Sequence, residues 1–353
     1  MRANKGEWCE FYTFLKILDE KKVYIADKEL NIVKDKFFIF QRVFKEDVTF
    51  DITGKGIKII NSKNEVLKCF DDQNLALKTK LIFDKILSAT NTTFEIEEAE
   101  KIMKELLCNK IKANSYQKAD IEAEIFDTIA NIVIPFGFSI KSMVGGASTL
   151  LNAGQTTNFV FKIENLEYNY IEGINKIETR SKVQDRIKQI ELLGGKIKFY
   201  KMLSSSFESN LKKIDTAFPK IIAEMLIDFF SGKANKIADL TNLLSLNKDL
   251  FSKYELSLSD YEFKVKQFLQ STALGMVPSK IWDGFSKAHG YIVVKSDGDI
   301  ICYHLYNRDE FLSYLFENTK FESASTGRHN YGVLYQEGGE LLFNLNLQIR
   351  FLK

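Results

Sequence analysis

Three acidic residues and one lysine are placed so that they could do phosphate chemistry together. In Asp120-Ile-Glu-Ala-Glu-Ile-Phe126 the residues alternate, with Ile121, Ala123 and Ile125 on one side and Asp120, Glu122 and Glu124 on the other, the period of a half-buried strand. Pro135-Phe-Gly-Phe-Ser-Ile-Lys141 alternates as well: Phe136, Phe138 and Ile140 share one face, and Gly137, Ser139 and Lys141 the other. An antiparallel pair turning at residues 130 and 131 sets Asp120 opposite Lys141 and Glu122 opposite Ser139. Carboxylates on such a face can hold a hard divalent cation, and a lysine beside them can orient an attacking water and steady charge developing on a phosphate. A solvent-facing strand edge would carry the same pattern, so spacing alone leaves both readings open.

These strands need a scaffold. Glu7–Asp19 places Trp8, Phe11, Phe14, Leu15 and Leu18 at helical spacing, and this first helix has one apolar face. Residues 37–44 and 56–60 read as strands. Residues 96–107 read as a helix with Thr92 or Thr93 as its cap. After a Gly-rich loop at 145–154, a strand is expected at 158–163, helical segments at 180–193 and 207–230 with Asp215 and Pro219 near a bend or helix start, and a mostly helical stretch at 235–275. The last third turns to strands: 290–295 and 299–304 around Ser296-Asp297-Gly298 form a hairpin signature, a helix follows at 307–316, and a second hairpin at 337–339 leads into a strand at 341–351.

The bulk composition sets limits. At 353 residues with 45% apolar content, 29 Phe, 14 Tyr and only 3 Pro, the chain can bury one large core or two ordinary ones. Lys and Arg total 49 against 47 Asp and Glu, which permits nucleic-acid binding through local potential without requiring it. Cys9, Cys69, Cys108 and Cys302 have no ligand-like spacing, and His289, His304 and His329 do not complete a zinc signature. The opening MRANKGEW is not a secretory signal, and no run of 18 apolar residues occurs. A cytoplasmic enzyme that does not cross a membrane is expected.

Several separated motifs carry a resemblance: Lys5-Gly-Glu-Trp8, Gly137-Phe-Ser-Ile-Lys-Ser142, Ser148-Thr-Leu-Leu-Asn152, Thr157-Asn-Phe159, Phe207-Glu-Ser-Asn-Leu211 with Ile214-Asp215, Asp297-Gly298 before Tyr303-His304, and Ser325-Thr-Gly-Arg-His329 before Asn344-Leu-Asn-Leu-Gln-Ile-Arg-Phe351. In this order, along nearly the whole chain, they resemble the HpaII-like type II restriction endonucleases of the PD-(D/E)xK nuclease superfamily. The resemblance implies an α/β fold with a restriction-endonuclease-like core, a mixed central sheet flanked by helices, and an additional C-terminal α+β region. It implies a nuclease core over 1–165 and a helical and DNA-recognition region over 166–353, with a soft boundary that one compact unit would also satisfy. The implied activity is hydrolysis of a short duplex site, CCGG, with Mg2+ or another divalent cation, leaving 5′-phosphate ends. The implied partners are double-stranded DNA and, functionally, a cognate methyltransferase, with the enzyme a monomer or a homodimer.

By that resemblance Asp120 is the metal-binding aspartate and Lys141 the catalytic lysine. The chain departs from the pattern at Ser139, where an acid is usual, so a second carboxylate must come from Glu7, Glu122 or Asp127. The missing acid favours one rival, a non-cleaving DNA-binding module descended from such a nuclease; a structure-specific repair nuclease with the same core is another. For DNA contacts, Ser148, Asn152, Gln155 and Asn158 have chemistry suited to phosphates or base edges. Ser325, Thr326, Arg328, His329 and Asn330 form the expected recognition segment, Arg328 being suited to guanine and Asn330 to adenine. Gln348 and Arg350 alternate with apolar residues on the strand that also carries Asn344 and Asn346, an expected polar face for DNA. Lys182, Arg186, Lys188, Lys196 and Lys198 add candidate phosphate contacts.

Overall fold

The computed structural model describes residues 1–111, 119–127, 131–247 and 256–353. The expected turn at 130 and part of the expected helical stretch at 235–275 lie outside these residues. The chain forms two compact units, Met1–Ser148 with Ser286–Tyr314 and Lys353, and Thr149–Phe285 with Leu315–Leu352. This division differs from a single break near residue 165, because the hairpin of the last third completes the sheet of the first unit.

That sheet has nine strands. β1 (Lys22–Ala26), β2 (Ile32–Lys45), β3 (Val48–Asp51), β4 (Ile57–Asn61), β5 (Val66–Phe70), β6 (Ile121–Asp127) and β7 (Ile132–Ser142) are joined by β11 (Gly290–Val294) and β12 (Ile300–His304) in the order β1-β12-β11-β7-β6-β2-β3-β4-β5. It is mixed: β11 runs parallel to β7 and β12 parallel to β1, whereas β6 and β7 are antiparallel. Helices α1 (Lys5–Glu20), α2 (Leu75–Ser88) and α3 (Glu97–Glu105) accompany it. The apolar alternation of β6 and β7 is used as expected, with Ile121, Ala123, Ile125, Phe136, Phe138 and Ile140 joining Trp8, Phe11, Phe14 and Leu15 of α1 in one core. At the tip of the β11–β12 hairpin Gly298 has φ +92°, and a Cβ there would crowd Phe83 and the Tyr12 hydroxyl. Asp297-Gly298 is therefore needed both for the turn and for its seat against α1 and α2. Neither Thr92 nor Thr93 caps α3; its N-cap is Ile96, without a side-chain bond.

The second unit holds two antiparallel sheets. One runs β10 (Lys196–Met202), β9 (Asn158–Glu164), β15 (Glu340–Asn346), β14 (Leu334–Glu337); the other runs β13 (Thr319–Phe321), β16 (Ile349–Phe351), β8 (Thr149–Leu151). Its longer helices are α4 (Lys182–Leu192), α5 (Ser205–Ile214), α6 (Phe218–Phe230), α7 (Ile237–Leu246) and α8 (Leu258–Leu274). The expected helical stretch 207–230 parts into two helices at the expected bend. Asp215 ends α5 in an extended conformation, and Pro219 sits in the first turn of α6, where its missing N–H costs nothing. The expected strand 341–351 is broken too, between Asn346 and Ile349. In the described residues no helix is long and apolar enough to cross a membrane, and all four cysteines are free thiols.

Candidate active site

The centre is built where β6 begins. Its register pairs Ile121 with Phe138 and Glu122 with Gly137, so the hairpin closes one residue earlier than its alternation suggests. Continued by one residue, this sets Asp120 opposite Ser139, with Lys141 next along the same face. The Asp120 N–H donates to the Phe138 carbonyl at 2.8 Å. Its carboxylate accepts the Ile140 N–H at 2.6 Å, taking the place of the carbonyl that a longer β6 would offer. A charge-assisted bond of that length fixes the carboxylate to the strand that carries the lysine. Close packing supports the same junction, because a Cβ on Gly137 would lie 2.8 Å from that of Ala119.

Lys141 is half-buried, paired to Val293 of β11, with its ammonium 5.1 Å from the centre of the Tyr291 ring. Loss of hydration pulls its pKa below the ordinary lysine value, while Asp120 and then Glu10 pull it back up. Burial is the larger influence. The result is a cation beside an aromatic face in a place that poorly hydrates it, with Asp120 and then Glu10 favouring its charge. Tyr291, paired across to Ser139, is itself held well above the usual phenol range by burial, by Tyr314 and by Asp120.

The first helix carries two acids near its start, Glu7 and Glu10. Glu7, the one expected at the centre, accepts the Asn4 N–H at 3.0 Å while the Asn4 side chain accepts the Glu7 N–H at 3.0 Å. This is a capping box, and through it Glu7 helps to start α1. Glu10 lies three residues on, on the same helix face, and its charge acts on Lys141 and on Cys9. The helix is tied to the end of β7 by the Ser142 hydroxyl, which donates to Cys9 Sγ at 3.1 Å. Glu122 is exposed opposite Gly137, one step outward from Asp120 on its face. Beyond it, Glu124 pairs with Arg42 at 3.5 Å. Asp127 is displaced: seven residues of strand put it about 23 Å from Asp120, and the odd spacing points it to the other face. In the described residues no group of three or more His, Cys, Asp or Glu side chains gathers in a metal-holding cluster. A magnesium ion needs only one or two carboxylates when phosphate and water complete its shell.

The expected DNA contacts divide into exposed and structural residues. Asn152, Gln155 and Arg328 are exposed. Ser325 caps the short helix Thr326–His329, and Asn330 ends it in the left-handed conformation at φ 53°. Ser148 donates to the Ser142 carbonyl at 2.9 Å, closing the turn after β7. Asn158 is fully buried; its amide donates to the carbonyls of His329 at 2.8 Å and Asn330 at 3.3 Å and accepts from Asn346 at 2.6 Å. Its role is to hold the recognition segment against β9. The polar face expected on the last strand is not formed: Asn344 and Asn346 are buried, and Arg350 reaches Glu322 at 3.4 Å. Gln348 stays half-buried in the break between β15 and β16. Arg186 is buried as well, spending its guanidinium on the carbonyls of Asn175, Ile177 and Gly332 and on Glu178. Lys182 and Lys198 pair with Glu178 and Glu164.

The model of the HpaII restriction endonuclease family matches residues 4–351. The chain belongs to that family. The type II restriction enzyme HpaII of Haemophilus parainfluenzae is 37% identical over 355 residues, covering 99% of this chain and 98% of that protein. No solved structure matches the chain.

As a member of the HpaII family the protein is a type II restriction endonuclease, a hydrolase of duplex DNA. Two residues of the candidate centre escaped sequence reasoning. Glu10 sits among nine buried positions of α1, and the only signal for it was a polar residue three positions after Glu7. Tyr291 reads in sequence as one more apolar position of a hairpin strand, and its place beside Ser139 follows from a parallel pairing across about 150 residues that no local pattern reports.

Proposed function

We propose that this HpaII-family enzyme cuts a short duplex site, CCGG, by hydrolysis at a divalent-metal centre formed by Asp120, Glu10 and Lys141. What supports it is the Asp120 carboxylate, fixed by the Ile140 N–H one residue before a poorly hydrated Lys141 whose charge Asp120 and then Glu10 favour. When bound between Asp120 and Glu10, a cation such as Mg2+ supplies Lewis-acid activation of water and neutralises phosphate charge. Asp120 is held for this by the Ile140 N–H, and Glu10 is delivered by a helix whose start Glu7 secures. Lys141 donates to a non-bridging oxygen of the scissile phosphate and steadies the charge that grows there. Water oxygen bonds to phosphorus as the bond to O3′ breaks; O3′ leaves with a proton and the phosphate stays on the 5′ end.

In this reading Ser139 needs no carboxylate, because Glu10 supplies that charge from the helix side. The second unit reads sequence through the segment around Ser325–Asn330, with exposed Arg328 as its guanine donor. The CCGG assignment rests on the family likeness, and a methyltransferase that modifies the same site is the functional partner it calls for. Digestion of a long unmodified duplex with added magnesium, followed by mapping of the ends, tests the proposal. Discrete fragments with 5′-phosphates at CCGG are expected. Fragments that share another sequence would refute the site, and cutting unaffected by chelation would refute the metal centre.

A further inference from the structure

Between α8 and β11 the chain forms a loop, Val277–Phe285, that is held from the inside and apolar on the outside. Asn210, from the Phe207–Leu211 motif on α5, is fully buried and spends its side chain on this loop. Its Nδ2 donates to the carbonyls of Lys280 at 2.7 Å and Val277 at 3.3 Å, and its Oδ1 accepts the Trp282 N–H at 2.8 Å. Lys213 of the same helix donates to the Trp282 carbonyl. The tip then closes on itself. The Trp282 indole N–H donates to the Phe285 carbonyl at 3.0 Å, Asp283 Oδ1 accepts the Phe285 N–H at 3.0 Å, and Gly284 between them takes φ +89°, which favours glycine. All of these residues belong to the second unit.

A loop bonded in this way has a set shape, yet Ile281 is 70% and Phe285 71% exposed, Phe285 being the most exposed aromatic side chain among the described residues. A stray apolar side chain on a surface needs no explanation, but two of this size on one ordered five-residue tip do. Area decides what covers them. Two side chains of at most about 250 Å² each fall short of the roughly 800 Å² per partner that a stable protein interface buries. One step of a DNA duplex, by contrast, is a partner that a single Phe or Ile fills: wedges of this kind enter between base pairs, part them and kink the helix. Exposed Lys280 on the loop and Lys213 at its base supply positive charge for the flanking phosphates. Duplex DNA is also the substrate that family membership establishes. We propose that Val277–Phe285 is a wedge loop that inserts Phe285 at one base step of the bound duplex, unstacks that step and bends the DNA.

The test uses the full-length protein and a duplex that the wild type cuts, with Lys141→Ala as the parent so that the duplex stays intact. 2-Aminopurine, whose emission is quenched in the stack, is placed at each position of the site and its flanks in turn, and a donor–acceptor pair on the duplex ends reports bending. One step is expected to brighten severalfold as the ends draw together. Adding Phe285→Ala is expected to remove both signals and weaken binding about 10-fold. Its melting curve should match that of the parent, because the side chain is exposed. Phe285→Leu keeps an apolar wedge and is expected to retain both signals. No brightening at any step of a bound duplex would overturn the proposal, as would brightening and bending that survive Phe285→Ala. Altered sedimentation of the free Phe285→Ala protein with both DNA signals intact would overturn it too, and would make the loop a contact between copies of the chain.

Discussion

The Asp120 carboxylate accepts the backbone N–H of Ile140 at 2.6 Å, one residue before Lys141. The bond makes the end of the β6–β7 ladder and the acidic part of the catalytic centre a single feature. It also separates two ways of damaging the residue. Asp120→Asn keeps an oxygen for the Ile140 N–H and removes only the charge, whereas Asp120→Ala also leaves that N–H without its acceptor, at about 1–3 kcal/mol.

The division of labour between two glutamates of α1 is directly testable. Glu10→Gln is expected to lower cleavage about 100-fold or more while leaving the melting temperature unchanged. Glu7→Gln keeps most of the activity, and Glu7→Ala costs about 1 kcal/mol of stability through the lost capping box. Cleavage rates and thermal melts of the three variants check this, and a reversed pattern would return the metal-site acid to Glu7.

His304 is expected to make the fold less stable in acid. It is buried against Phe136, with ring centres 4.2 Å apart, and its Nδ1 accepts the Tyr306 N–H at 3.1 Å. Burial, and then His289, lower its pKa from 6.5 to about 3. The unfolded chain therefore takes up a proton that the folded protein refuses, so stability is complete above pH 6.5 and declines as pH falls toward about 3. Urea midpoints measured across that window should fall less steeply for His304→Gln than for the wild type. Parallel curves would show that His304 does not carry the effect.

Asn158 and Arg328 should behave oppositely. Asn158→Ala removes a buried amide that bonds three partners and is expected to cost roughly 1–3 kcal/mol in chemical unfolding. Arg328→Ala leaves stability alone and weakens binding to the cognate site by about 10- to 100-fold, with relaxed preference at one base. Equilibrium unfolding and competition binding separate the two.

Much of this was legible in the sequence. The alternation of Ile121, Ala123 and Ile125 with Asp120 and Glu122 places the right strand on the right core, and Asp297-Gly298 marks the hairpin that completes the sheet. Alternation fixes faces, whereas register depends on where a turn closes, so the alternation sets Asp120 opposite Lys141, whereas the Ile121–Phe138 register continued by one residue sets it opposite Ser139. Tyr291 reaches Lys141 only through a pairing distant in sequence, and Glu10 acts on it only through the packing of α1. Polar alternation on β15 was misleading for another reason: both of its faces are covered, so Asn344 and Asn346 are buried amides that bond across loops. Arg186 likewise looked like a surface cation because one helix in isolation does not show which carbonyls will surround it.

The most direct test of the centre is single-turnover cleavage of a duplex that the wild type cuts, by Asp120→Asn and Lys141→Ala, with binding measured in parallel. Each variant is expected to lose at least about 100- to 1,000-fold in rate while holding DNA nearly as tightly as the wild type. Cleavage at the wild-type rate by both would contradict the assignment of the centre to Asp120 and Lys141.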